Sequence, residues 1–174
     1  CPMSNALSMY QASVPVLLRA LGNLRHVLAK GEAHARDKGY EPTILLQSRL
    51  APDMFPLVRQ VQFATDTAKF AVARLAGVES PRFDDVETTF EELYARLDAV
   101  SAYLRTFDEA ALEGSQDRSI TLTTRTRGEL KFDGRGYLLG FVLPNLFFHA
   151  TTAYAILRHN GVPLGKLDYL GPQA

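Results

Sequence analysis

Gly136 to Gly161 reads GYLLGFVLPNLFFHATTAYAILRHNG, the longest apolar run in a chain of 174 residues. It reads as a helix, the last and most apolar of the chain. Pro144 has no N–H to give to the helical ladder, so it is expected to release the carbonyl of Gly140 and bend the helix. Asn145 and His149 follow it, one turn apart. A polar pair within an apolar helix needs partners, and candidates stand on an earlier helix at Gln62 and Asp66. His149, among Phe147, Phe148 and Ala150, reads in two ways. It is a core histidine bonded to Asn145, Tyr154 or a group on that earlier helix, or it contacts a metal or substrate. The run around Leu138 to Leu157 is long enough to span a bilayer, but Pro144, Asn145, His149 and Arg158 make it amphipathic. A buried helix is expected, and no membrane partner.

Working outward, Asp133-Gly134-Arg135-Gly136 is a turn into this helix, without the Walker lysine or the preceding core strand of a phosphate loop. Ile120, Leu122 and Thr124 alternate with threonines, and Leu130 and Phe132 with Glu129 and Lys131, which predicts a short hairpin turning at Thr126 to Gly128. Phe90, Leu93, Tyr94, Leu97, Val100, Leu104 and Phe107 recur at helical spacing behind a Thr88/Glu91 capping box. Leu57, Val61, Ala64, Ala68, Ala71, Val72 and Leu75 mark a second long helix that Gly77 ends. Gln62 and Asp66 share one of its faces at i and i+4, beside the inward stripe. In RLAPDMFPL, Arg49 to Leu57, Asp53 is expected to cap that helix with Pro56 inside its first turn. Arg49, Asp53 and Pro144 are therefore taken as structural. Upstream, Glu41 to Leu50 is a connector whose Ile44, Leu45 and Leu46 cover one end of the core. The first helix runs from near Ser8 to about Lys38 on Val14, Leu17, Leu21, Leu24 and Leu28, with Gly39 ending it. His26 and His34 read as surface or boundary residues, and His159 as a partner of its helix's C-terminal dipole.

The composition is that of one globular domain, 47% hydrophobic and 22% charged, assigned to residues 7–174. Residues 1–6, whose Ser4-Asn5-Ala6 resembles a cloning scar, are set aside. Nineteen basic and nineteen acidic residues, with no basic block, argue against a nucleic-acid partner. Cys1 is the single cysteine, so neither an intrachain disulfide nor a cysteine-rich metal motif is available. With no leader-like start, a cytoplasmic protein is expected.

RLAPDMFPL, QVQFATDTAK with RLAG, ETTFEEL and above all LPNLFFHATTAYAILRHNGVPLGK together resemble the bacterial domain-of-unknown-function family numbered nineteen ninety-three, over nearly the whole chain. That family resembles the DinB-like superfamily. The resemblance implies an all-α fold: an up-down-down-up four-helix bundle, here with the short β-hairpin between helices three and four. It also implies a homodimer and kinship with metal-dependent thiol transferases and hydrolases. Active members hold a divalent metal through one histidine on helix two and an H-x-x-x-H pair on the last helix. The corresponding positions here are at or near Gln62, and Asn145 with His149. Amide oxygens are weak ligands for zinc or nickel. His149 with Asp66 falls short of the three protein ligands usual for catalytic zinc. The favoured expectation is a cofactor-free bundle that binds a small molecule or partner in a groove lined by Gln62, Asp66, Asn145 and His149. The alternative is a metal-dependent hydrolase or thiol-dependent transferase in which His149 ligates zinc or nickel.

Overall fold

The computed structural model describes residues 6–124 and 126–172; of the opening residues set aside above, 1–5 lie outside these. Helix α1 (Met9–Asp37) begins where Ser8 Oγ accepts the N–H of Gln11 and the Gln11 side chain accepts the N–H of Ser8, a reciprocal cap. It ends at Gly39, whose φ of 77° an L side chain rarely adopts. The single turn α2 (Thr43–Leu46) buries Leu45 and Leu46 but leaves Ile44 exposed, against expectation; three consecutive residues of one turn cannot share a face.

Helix α3 (Leu57–Ala76) starts later than its cap was expected. Pro56 occupies the N-cap with an extended ψ of 169° and no side-chain cap, while Asp53 is exposed in the preceding turn. A proline disfavours helical geometry in the residue before it, so the helix does not reach back to Asp53. Arg49 Nη1 closes this loop by donating to Met54 O at 2.7 Å. Helix α4 (Phe90–Leu104) is capped one residue later than Thr88/Glu91, by Thr89 and Glu92. Glu92 Oε2 accepts the N–H of both Thr88 and Thr89, so the glutamate three residues past the true cap is chosen. Phe107 lies beyond the end of this helix.

Strands β1 (Ile120–Thr124) and β2 (Gly128–Phe132) pair antiparallel with Ile120 opposite Phe132. Asp133 Oδ1 then accepts the N–H of Gly136 at 2.6 Å and starts α5 (Gly134–Tyr137). A Cβ on Gly134 would collide with the carbonyl of Ser115, so only glycine lets the helix start there. Residues Leu138–Val142 form a π turn in which the N–H of Leu143 bonds to Leu138 O, five residues back. The expected break at Pro144 takes this form: the ladder widens just before the residue that cannot donate. Helix α6 (Leu143–His159) completes the rod, and α7 (Lys166–Leu170) folds back on α1. There Asp168 accepts from Lys30 Nζ at 2.9 Å and meets His26 Nε2 at 3.1 Å. These bonds, Lys30's first, hold the Asp168 carboxyl well below the usual range.

The four long helices form the four-helix bundle that the sequence predicts. Helix α1 packs on α4 and α6, and α3 packs on the same two. Leu17, Leu21, Leu28, Val61, Leu75, Leu97 and Ile156 fill the centre. Ala64, Ala68 and Ala71, all fully buried, let α3 approach its neighbours closely. The rod Gly134–His159 is less buried than its sequence predicts. By length and composition it could cross a membrane, and 33% of its most apolar stretch is buried. Leu146, Ala153, Ile156 and Leu157 face the core, while Leu139, Phe147 and Phe148 remain exposed.

Candidate functional site

Gln60, Phe63 and Thr67 recur at i, i+3 and i+7, so they share the face of α3 turned to α6. Each meets a residue of the polar pair. Gln60 Oε1 lies 2.8 Å from His149 Nδ1, the Phe63 ring stacks on the imidazole with centroids 5.1 Å apart, and Asn145 Nδ2 donates to Thr67 Oγ1 at 2.7 Å. Phe148 adds an edge contact to the imidazole at 5.2 Å.

The tautomer of His149 follows from Gln60. This side chain is buried, and its Nε2 donates to Phe55 O at 3.0 Å, which turns the amide oxygen toward the imidazole. An oxygen can only accept, so Nδ1 carries the proton. Burial lowers the pKa of His149 to about 4, so the ring is neutral at pH 7 and Nε2 keeps its lone pair. Nε2 makes no hydrogen bond among the described residues. The buried side-chain atoms without a partner there are Tyr103 Oη and Ser115 Oγ, so the Nε2 edge reaches solvent.

The opposite face of α3 carries a different chemistry. Arg96 of α4, 3% exposed, donates from Nε to Thr65 Oγ1 at 2.7 Å, from Nη1 to Glu87 Oε1 at 3.0 Å and from Nη2 to Asp66 Oδ1 at 2.9 Å. It also pairs with Asp85 at 3.1 Å. Lys69, equally buried, reaches Asp66 at 3.2 Å and lies over the rings of Phe70 and Phe83. Gln62 bridges the remaining charges, accepting from Arg59 at 2.7 Å and donating to Glu87 at 2.7 Å. Arg59 also pairs with Asp85 at 2.6 Å. Three cations and three carboxylates thus tie the α3–α4 crossover, through Asp85 and Glu87, to both helices.

The single groove expected from Gln62, Asp66, Asn145 and His149 is therefore divided. Asn145 and His149 bond to α3 residues on one side; Gln62 and Asp66 bond to Arg59, Glu87, Arg96 and Lys69 on the other. At about 100° per residue, positions 60 and 62 are roughly 200° apart, which makes the helix-two partner of His149 Gln60, not Gln62. The matching spacing of Gln60, Phe63 and Thr67 was available in the sequence. For Arg96 the signal was a cation between Leu93 and Leu97.

The donors present do not fit zinc or nickel. Such a site takes three or four nitrogen, sulfur or carboxylate ligands on one centre. Here Asp66 is held by two cations, the Gln62 amide is engaged at both ends, and Asn145 donates to a hydroxyl. Among the described residues no group of three or more His, Cys, Asp or Glu converges.

Comparison with known proteins agrees with this architecture. No curated protein matches the chain. A DinB family member protein from Shewanella denitrificans, solved as a crystal structure, is 44% identical over 95% of this chain and 93% of its own, with a TM-score of 0.88. The family described as Domain of unknown function (DUF1993) matches residues 9–170. That span holds every long helix and both faces of α3, and the chain belongs to that family.

Proposed function

We propose that this protein is a metal-independent binding module of the DinB-like fold, in which His149 accepts a hydrogen bond from its ligand. One observation carries the reading: Gln60 fixes the proton on Nδ1 and leaves the Nε2 lone pair on the solvent side. Phe63 and Phe148 frame the imidazole with apolar surface. This suits a small molecule with an N–H or O–H donor on an apolar body. The homodimer belongs to the same reading, as a cover for apolar surface that the bundle leaves exposed. Light scattering that gives a monomer mass at high micromolar protein refutes the dimer.

Two measurements test the binding role. Elemental analysis of protein purified without a metal-affinity step is expected to show well under one zinc or nickel per chain; near one per chain overturns the reading. Phenol, as a simple donor probe, is expected to shift the imidazole 15N resonance of His149 Nε2 saturably. Persistence of the same phenol affinity in His149→Phe, which keeps a ring beside Phe63, assigns the binding elsewhere and overturns it.

A further inference from the structure

On another side of α6, a cavity of about 210 Å³ opens between α1, α6 and α7. Its apolar lining comes from Leu24, Val27 and Ala150, all buried, and from Phe147. Three polar side chains stand among these apolar groups: Asn23, which gives Nδ2 to the carbonyl of Leu170 at 2.9 Å, and Arg19 and Tyr169, whose spare donors suit an anion. Arg19 gives Nη2 to the carbonyls of Leu170 at 3.2 Å and Pro172 at 2.9 Å. Its Nε and Nη1 have no partner, and no acidic side chain pairs with it, among the described residues. Tyr169 accepts from Thr151 Oγ1 at 3.0 Å, which leaves its own O–H proton available to a ligand. Asp168, on the neighbouring position of α7, is already held by Lys30, His26 and the N–H of Gly165.

The lining and the size together select a ligand. An enclosed apolar cavity of about 150 Å³ holds a benzene, whereas pockets for drug-sized molecules begin near 300 Å³. The space here admits one ring or a chain of similar bulk. A guanidinium without a carboxylate partner and a phenol that can donate, both lining the cavity, complement an anion with planar oxygens. We propose that the α1–α6–α7 cavity binds a small monocarboxylate with an apolar body, the carboxylate at Arg19 and Tyr169 and the body against Leu24, Val27 and Ala150. This site is separate from the His149 edge and stands whether or not that edge binds anything.

The test is a methyl-resolved NMR titration of the whole chain with phenylacetate, octanoate and toluene. Saturable shifts at Leu24, Val27 and Ala150 are expected with at least one carboxylate, and the tighter of the two identifies a ring or a chain as the preferred body. Arg19→Gln is expected to weaken carboxylate binding about tenfold and leave toluene within twofold, while Arg19→Lys retains most of the carboxylate affinity. Arg19 is exposed, so these variants should fold. Toluene binding also reports whether the cavity survives the loss of Arg19's bonds to the C-terminal carbonyls. Ala150→Phe should block all three probes, and Tyr169→Phe should weaken the carboxylates alone. No saturable shift with either carboxylate up to 10 mM, or equal carboxylate affinity in Arg19→Gln, overturns the proposal. His149→Phe should leave these affinities unchanged, so failure here and failure at His149 are told apart.

Discussion

The two faces of α3 solve the same problem, polar groups inside a helical bundle, in opposite ways. Toward α4, Asp66, Lys69 and Gln62 join Arg96, Arg59, Asp85 and Glu87 in a charged network whose members satisfy one another. Toward α6, Gln60 and Thr67 meet His149 and Asn145 through neutral hydrogen bonds, and one lone pair is left over. A closed charge network has little capacity for a ligand. A neutral set with a spare acceptor at its edge has some, which is why the binding role is assigned to His149 and a structural one to Asp66.

The contrast breaks most visibly at Arg96. Removing this buried cation leaves Asp66, Asp85 and Glu87 with only Lys69, Arg59 and Gln62 to hold them, and loss of one member of such a network costs about 3–5 kcal/mol. Arg96→Ala should therefore lower stability by that amount in urea unfolding and loosen the 78–89 crossover in hydrogen exchange. Arg25 is the control, since its pair with Asp98 is largely exposed and its loss should cost less than about 1 kcal/mol. If the two variants lose equally little, the α4 face is not the structural clamp described here.

At the α6 face the expected loss is smaller. Gln60→Leu is close in volume but deprives both His149 Nδ1–H and Phe55 O of their partner, and an unsatisfied buried group costs about 1–3 kcal/mol. The same variant releases the constraint on the tautomer. 15N chemical shifts of His149 should show the proton fixed on Nδ1 in the parent and a mixture in Gln60→Leu. An unchanged, fixed tautomer in the variant would mean that Gln60 does not set the ring.

How much of this was readable in the sequence depended on whether the information was local. The caps, the terminating glycines, the period-two hairpin and the apolar stripes depend on neighbours within a few residues, and they located the long helices and the strands. The exceptions were also local but finer than the pattern: Pro56 displaced the cap from Asp53, and Glu92 was preferred to Glu91 because it sits three residues after Thr89. The site was less readable because it depends on which side of α3 faces which helix. Gln62 and Asp66 share one face of α3 and join one charge network, yet apolar periodicity could not show that this face meets α4. The charges of Arg96 and Asp66 are thirty residues apart in sequence and become partners only through the packing of two helices. The cavity beside Arg19 needs three elements at once, including the short α7 that no stripe announced.

The smallest expected difference between the faces is in their response to acid. His149 in the unfolded chain takes a proton near pH 6.5, the ordinary value, whereas burial lowers its folded value to about 4. Between these values the unfolded chain binds more protons, so this residue's contribution falls as the solution is acidified through that window and is constant above it. The edge of the ring reaches solvent, which screens part of the effect. The loss from pH 7 to pH 6 should therefore stay under about 1 kcal/mol. His149→Gln removes the titrating group while leaving an amide that can bond to Gln60, so its stability should change less than the parent's over that interval. Paired urea melts of parent and variant at pH 7 and pH 6 isolate the term, because every other titrating group is common to the two proteins. A variant whose stability falls as steeply as the parent's would show that His149 is not held neutral by burial, and the lone pair on which its binding role rests would be lost with it.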